Sequence, residues 1–303
     1  MIRILVTDGM ESSGIDELRK SGFEVVEKFY SPEELGDALK DFNCVVVRSA
    51  TKVREPIIDK ALEGGNLKLI IRGGVGVDNI DVKYAESKGI SVRNTPNASS
   101  ASVAELAIGH MFAAARFIGV ANATMREGKW DKKKYEGFEL GGKTLGLIGF
   151  GRIAKETAKR AEALGMKVIY TKRSGKEAEY DNYEYCDKEE LLKKSDFISL
   201  HIPYDKVNGP TIGEKEFELM KDGVYLINLA RGGIVCEKAL LDALNSGKVR
   251  GAGIDVFKEE PTKNMDIVNH PRVSVTPHIG GSTIEAQTRI GEEIVFIIKE
   301  TFK

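Results

Sequence analysis

The 303-residue sequence has little that would tie it to a metal, a membrane or a nucleic acid. Its three cysteines, Cys44, Cys186 and Cys236, stand far apart with no C-x-x-C pair. That spacing disfavours a structural zinc site and a disulfide framework, and it fits a reducing cytoplasm. Histidines number only four, and no His, Cys and carboxylate set shows ligand spacing, so no metal is expected. Net charge is nearly absent, with 45 Lys and Arg against 46 Asp and Glu. No global field draws in nucleic acid or an anionic membrane, and any anion must be bound locally. Long apolar runs are missing too. The start, residues 1–8, turns polar too quickly for a signal peptide, and the apolar stretch 104–125 is interrupted by Glu105, His110 and Arg116.

What is present describes a folded α/β protein. Hydrophobic residues make up 42% and charged residues 30%, and the length suits two ordinary domains or one large unit. Apolar runs at 2–7, 23–26, 44–47, 67–71 and 90–92 alternate with helical patterns, which predicts a parallel sheet covered on both faces. Ser31-Pro32-Glu33-Glu34 reads as a helix start, with Ser31 as cap, Pro32 in the first turn and Glu34 completing a capping box. A long helical pattern runs from Ser100 toward Arg126, apolar over much of its circumference. A second strand series follows at 144–148, 167–171, 197–200, 224–228, 251–255 and 273–276, and residues 282–302 read as a terminal helix returning to the first domain. The expected fold is α/β, two doubly wound parallel-sheet lobes with a cleft between them. Residues 1–96 plus 284–303 are read as the substrate-binding domain and residues 97–283 as the dinucleotide-binding domain.

The 32 glycines fall in clusters, one of which has an unusually informative context. The apolar strand 144–148 feeds Gly149-Phe150-Gly151-Arg152-Ile153-Ala154 directly into a helical pattern. In such a G-x-G-x-x-A turn the first glycine permits the bend, Gly151 lets backbone approach a pyrophosphate, and Ala154 brings the helix close to its strand. Dinucleotide binding follows from that chemistry. NAD sites place a carboxylate at the end of the second strand for the adenosine ribose. Here that strand runs into Lys172-Arg173-Ser174, and no carboxylate stands there. Two cations and a hydroxyl suit the 2′-phosphate of NADP, unless Lys172 and Arg173 merely point into solvent.

Three further segments each place a reactive side chain just after a predicted strand, where ligands bind in open α/β sheets. They are Asn228-Leu229-Ala230-Arg231-Gly232-Gly233, Asp255-Val256-Phe257-Lys258-Glu259-Glu260-Pro261 and Thr276-Pro277-His278-Ile279-Gly280-Gly281-Ser282. In this order, after the G-x-G-x-x-A turn, they resemble the D-isomer-specific 2-hydroxyacid dehydrogenase family. The likeness extends through Arg48-Ser49-Ala50-Thr51-Lys52-Val53, Arg72-Gly73-Gly74-Val75-Gly76-Val77-Asp78-Asn79, Asn94-Thr95-Pro96-Asn97 and the segment 128–134. It is best to the branch acting on 3-phosphoglycerate.

The resemblance implies a flavodoxin-like substrate lobe and a Rossmann NAD(P)-binding lobe. It implies Arg231 as binder of the substrate carboxylate, His278 as acid/base and Glu260 as the partner of that histidine. Removing a hydride from a 2-hydroxy acid also requires taking the hydroxyl proton, which explains the imidazole, and a guanidinium fork holds a carboxylate in two bonds. The resemblance places Arg152 and Ile153 at the pyrophosphate beside Gly149 and Gly151, and Leu229 and Ala230 beside the nicotinamide ribose. Val75 and Asp255 fall near the nicotinamide, Ile202 in a ribose-bordering loop, and Gly280 and Gly281 where backbone approaches closely. Lys172 departs from the family's common Asp, leaving NAD and NADP both open. Arg48, Arg72, Gly73, Gly74 and Lys132 are the substrate-binding candidates, the last with a solvated lysine face as its plain alternative.

The function expected is hydride transfer between a nicotinamide cofactor and a D-2-hydroxy acid, with 3-phosphoglycerate as first choice. An NADPH-dependent glyoxylate or hydroxypyruvate reductase is the alternative, and a corepressor-type NAD(H)-sensing binding protein is a more distant one. The helix after Ser100 resembles a dimer arm, so a homodimer is expected. The sequence ends without the carboxyl-terminal regulatory domain of longer members, so feedback through such a domain is not expected.

Overall fold

The computed structural model describes residues 1–303, and the chain divides into two compact units, Met1–Ser99 with Gly281–Lys303 and Ser100–Gly280. The first unit holds β1 (Arg3–Val6), β2 (Glu24–Glu27), β3 (Cys44–Val47), β4 (Leu69–Arg72) and β5 (Ser91–Asn94). All pairings are parallel, in the order β2-β1-β3-β4-β5, the flavodoxin-like arrangement. Successive strand residues face opposite ways. Ile4, Val6, Cys44, Val46, Leu69 and Ile71 pack with Leu18, Ile294 and Ile298, while Leu5, Val45, Val47 and Ile70 pack with Leu35, Leu39 and Ile58. Burial on both faces is why these strands read as unbroken apolar runs rather than alternating ones.

The helix Pro32–Ala38 starts at Ser31, whose backbone N–H donates to the Glu34 carboxylate at 3.2 Å. At the chain's far end the helix Ile284–Thr301 opens with the Thr283 hydroxyl accepting from Ala286 N at 3.1 Å. Its Ile290, Ile294 and Ile298 enter the core of this first unit, so the carboxyl-terminal segment completes the amino-terminal sheet.

The second unit holds β6 (Thr144–Ile148), β7 (Lys167–Thr171), β8 (Glu184–Tyr185), β9 (Phe197–Leu200), β10 (Val224–Asn228), β11 (Val249–Ile254) and β12 (Val273–Val275). Its parallel order is β12-β11-β10-β9-β6-β7-β8, a Rossmann sheet whose connections reverse between β6 and β9. The two-residue β8 has too little pattern to read from sequence. Ala154, Ala158 and Ala161 are fully buried and let the helix Arg152–Ala163 lie close against the sheet. Ala107 and Met111 of the helix Ser100–Arg116 join the same core. Leu191, Leu240 and Leu244 cover the other face.

One expectation is corrected here. The helical pattern from Ser100 to Arg126 is two helices, Ser100–Arg116 and Ile118–Arg126, bent by 64° at Phe117. Phe117 sits at φ 55, in the left-handed region, which ends one helix although apolar residues continue on its far side. No single helix is long and apolar enough to cross a membrane.

Candidate active site

The glycine turn after β6 is built for close approach. Gly149 lies at φ 90, and a Cβ there would stand 2.3 Å from the His201 carbonyl oxygen and 2.8 Å from Ile202 Cγ2. Only glycine fits. Gly151 caps the helix Arg152–Ala163, and a Cβ at Gly151 would meet nothing within 4 Å, so this side of the turn is open. The first-turn N–H groups of that helix, those of Arg152 and Ile153 among them, lack intrahelical acceptors and form an anion site with the helix dipole. A dinucleotide pyrophosphate fits this cradle.

At the end of β7 the structure corrects the reading that no carboxylate is present. Glu177 turns back to the strand end, where its carboxylate pairs with Lys172 and, at 2.6 Å, with Lys155 in the first turn of the same helix. Its backbone N–H donates to the Tyr170 hydroxyl at 2.9 Å. The bonds from Lys155 and then Lys172 hold the Glu177 carboxyl below the usual carboxylate range.

Beyond β10 the turn carrying Leu229, Ala230 and Arg231 is clamped by the buried Asn228. Its side-chain amide donates to Arg231 O at 3.0 Å, and its oxygen accepts from Ala230 N at 3.1 Å. Arg231 Nη1 donates to Ala230 O at 2.6 Å. Gly232 is required, because a Cβ there would lie 1.7 Å from Phe257 O. The loop after β11 brings Glu260 to His278, with Oε2 to Nδ1 at 2.7 Å, while Oε1 accepts from Phe257 N at 3.0 Å. Burial alone would raise the Glu260 carboxyl. The bond from His278, the Phe257 N–H and the charges of His278 and Arg231 outweigh it, so the carboxyl is held lower than usual. Arg231 and His278 thus both act electrostatically on Glu260 at the carboxyl end of one parallel sheet.

His278 is held at φ 55, a left-handed backbone uncommon for a residue with a side chain. Asp255, only 1% exposed, is what secures it. Its backbone oxygen accepts from His278 N at 2.9 Å, Oδ1 accepts from the Thr276 hydroxyl at 2.6 Å and Ile279 N at 2.8 Å, and Oδ2 accepts from Gly280 N at 2.9 Å. Behind Thr276 stands His110, whose Nε2 and Nδ1 lie 2.9 Å from the hydroxyls of Thr276 and Ser274. Because Thr276 donates to Asp255, it accepts from Nε2–H, and Nδ1 accepts from Ser274. Burial pushes the His110 pKa down, partly opposed by Asp255, which suits this neutral tautomer. Gly253 makes the room, since a Cβ there would lie 2.5 Å from His110 Cβ. The same physics acts on His201, where burial pushes the imidazole down to about 4.

The remaining candidates lie in the first unit, except Lys132. Arg48 and Arg72 sit at the carboxyl ends of β3 and β4, and Arg72 Nη2 donates to Ser49 Oγ at 3.2 Å. Gly74 leaves space for that guanidinium, since a Cβ there would fall 1.5 Å from Arg72 Nη1. Gly73 N donates to Val47 O at 2.9 Å, and Val75 O accepts from Asn94 Nδ2 at 2.6 Å. Gly281 belongs to this unit, where a Cβ would lie 3.4 Å from Ser99 Cβ. Lys132 is exposed in the short turn Lys132–Lys134 of the second unit.

Two residues given no role by the sequence alone shape the Arg48 loop. Asp8 accepts from Arg48 N at 2.6 Å and from the Thr51 N–H and hydroxyl at 3.0 and 2.6 Å. Asn79 Nδ2 donates to Arg48 O and Thr51 O, each at 2.7 Å. Asp8 follows just after β1, and the rule that pointed to Arg231 and His278 could have found it.

The family model described as D-isomer specific 2-hydroxyacid dehydrogenase, NAD binding domain, matches residues 108–280. Over 306 residues the chain is 46% identical to D-3-phosphoglycerate dehydrogenase of Methanocaldococcus jannaschii, an alignment covering 100% of this chain and 58% of that protein. Over 297 residues it is 47% identical to hydroxypyruvate reductase of Thermotoga maritima, covering 97% of this chain and 96% of that one. The chain therefore spans a little over half the length of the phosphoglycerate dehydrogenase relative. Among solved structures, glyoxylate reductase from Paecilomyes thermophila superimposes with a TM-score of 0.90 at 33% identity, covering 99% and 95% of the two chains.

The Asp255 network predicts the outcome of an isosteric change beside it. Thr276→Val strips a hydroxyl from both Asp255 and His110, and leaving buried polar groups unmatched should cost about 1–3 kcal/mol. The urea midpoint is expected to fall accordingly, and an unchanged midpoint would show that the network contributes nothing.

Proposed function

Because the chain belongs to the D-isomer-specific 2-hydroxyacid dehydrogenase family, we propose that it reduces short 2-oxo acids of the hydroxypyruvate and glyoxylate class to the corresponding 2-hydroxy acids, using NAD(P)H. The observation that carries the chemistry is the His278–Glu260 pair at 2.7 Å under the charge of Arg231, on the same sheet as the glycine cradle. The substrate class is supported by near full-length similarity to the hydroxypyruvate reductase. In this reading the second unit binds the dinucleotide and carries Arg231, Glu260 and His278.

The bound nicotinamide supplies the hydride. Arg231 holds the substrate carboxylate through its planar fork and draws electron density from the adjacent carbonyl. His278 donates its Nε2 proton to the carbonyl oxygen as the alcohol forms, and accepts it back in the oxidative direction. Glu260 fixes Nδ1–H, orients the ring and stabilises the imidazolium. Gly149, Gly151, Arg152 and Ile153 would hold the pyrophosphate, and Ile202, Leu229, Ala230 and Gly280 would hold the rest of the cofactor. Asp255 has acceptor capacity left for the carboxamide while it holds the loop.

A second reading, oxidation of 3-phosphoglycerate, is favoured by Arg48 and Arg72 on adjacent strands, since a phosphate group demands more than one cation. It is also supported by 46% identity to the phosphoglycerate dehydrogenase relative. For assembly we propose a homodimer, supported by the exposed apolar side chains of Ile118 and Met125 on the helix Ile118–Arg126 and by Trp130 at 79% exposure.

Two measurements test these roles. The kcat/KM for hydroxypyruvate and glyoxylate should exceed that for phosphohydroxypyruvate, and the opposite order would transfer the assignment to the second reading. His278→Ala should lower kcat by about 10²–10⁴-fold while NADH still binds. Near-normal turnover in that variant would remove His278 from its role.

A further inference from the structure

The family relation says that a nicotinamide dinucleotide binds but leaves the choice between its two forms open. The feature bearing on that choice is the bridge made by Glu177. Lys172 follows β7, and the helix Arg152–Ala163 begins at the glycine cradle, so the adenosine ribose of a dinucleotide lies between these two elements. Glu177 joins them, with one carboxylate oxygen on Lys172 and the other 2.6 Å from Lys155.

The local chain is shaped to deliver it. Gly175 at φ 83 donates its N–H to Lys172 O at 3.1 Å, closing a tight turn that reverses the backbone. Tyr170, fully buried within β7, then accepts the Glu177 N–H through its hydroxyl at 2.9 Å. Lys155 also stands over the Tyr180 ring at 4.4 Å, which fixes the ammonium from a second side. The Glu177 side chain is only 21% exposed, so the carboxylate is held in place rather than waving in solvent.

We propose that Glu177 is the specificity-determining residue at the adenosine ribose. It accepts the 2′-hydroxyl of NAD(H), repels the 2′-phosphate of NADP(H), and occupies the two ammonium groups that would otherwise bind that phosphate. Lys172, read in isolation, argues for NADP. Paired with Glu177, it becomes part of an NAD-selective site in which the carboxylate arrives from five positions downstream. Without Glu177 two lysines would converge with no counter-charge, an arrangement that favours a dianionic phosphate.

The inference rests on dinucleotide use by this family and on no particular oxo acid, so its test is equilibrium binding without substrate. The Kd values of NADH and NADPH are measured by nicotinamide fluorescence for the unmodified chain, Glu177→Gln, and Glu177→Gln combined with Lys172→Met. The unmodified chain should bind NADH more tightly. Glu177→Gln should move the ratio of the two Kd values toward NADPH by about tenfold or more, with a gain that shrinks at high salt. The added Lys172→Met should reverse most of that gain. Tighter NADPH binding by the unmodified chain, or a ratio that stays within about twofold in Glu177→Gln, would overturn the assignment. Failure of the unmodified chain to bind either cofactor would overturn it together with the dinucleotide reading.

Discussion

A carboxylate sealed under the carboxyl end of a parallel sheet organises the chemistry of this molecule. Asp255 is 1% exposed, and burying such a group is costly unless its acceptor capacity is met. Here a hydroxyl and two backbone N–H groups meet it, all from the short segment that carries His278. The burden of a buried charge is thereby turned into loop geometry. The segment cannot relax without stranding the carboxylate, so His278 keeps a left-handed backbone and its ring stays against Glu260.

The surrounding architecture serves the same end. Parallel strands deliver Asn228, Asp255 and Thr276 to the carboxyl end of the sheet, where Asn228 fixes the turn that follows it and Asp255, with the Thr276 hydroxyl, fixes the segment after β12. Glycines at 149, 232 and 253 open space where backbone or imidazole must come close. Arg231 and His278 then bear on Glu260 from separate turns; the bond from His278, the Phe257 N–H and the two charges together outweigh burial and hold its carboxyl lower than usual. In the first unit Asp8 and Asn79 do for the Arg48 loop what Asp255 does for His278.

Much of this was legible in the amino-acid order because local patterns carry it. Strands buried on both faces announce themselves as apolar runs, and the G-x-G-x-x-A turn has few other uses between a strand and a helix. The Phe117 break was not legible, since apolar residues continue past a single left-handed residue. Glu177 was missed for a related reason. The expected position for a ribose carboxylate is the strand end, and only a turn at Gly175 with a buried Tyr170 hydroxyl brings a later residue there. His110 looks like any polar residue within an apolar helix until Ser274 and Thr276, more than 160 positions away, fold against it. Side chains that act by holding other segments leave little trace in their own neighbourhood.

The most direct test of the central claim is amide hydrogen exchange on the cofactor-free Asp255→Asn chain. An asparagine side chain keeps the shape but loses one acceptor oxygen. Exchange at Ile279 and Gly280 should accelerate by about tenfold or more while β6 and β10 keep their protection. Unchanged exchange at both amides would contradict the account.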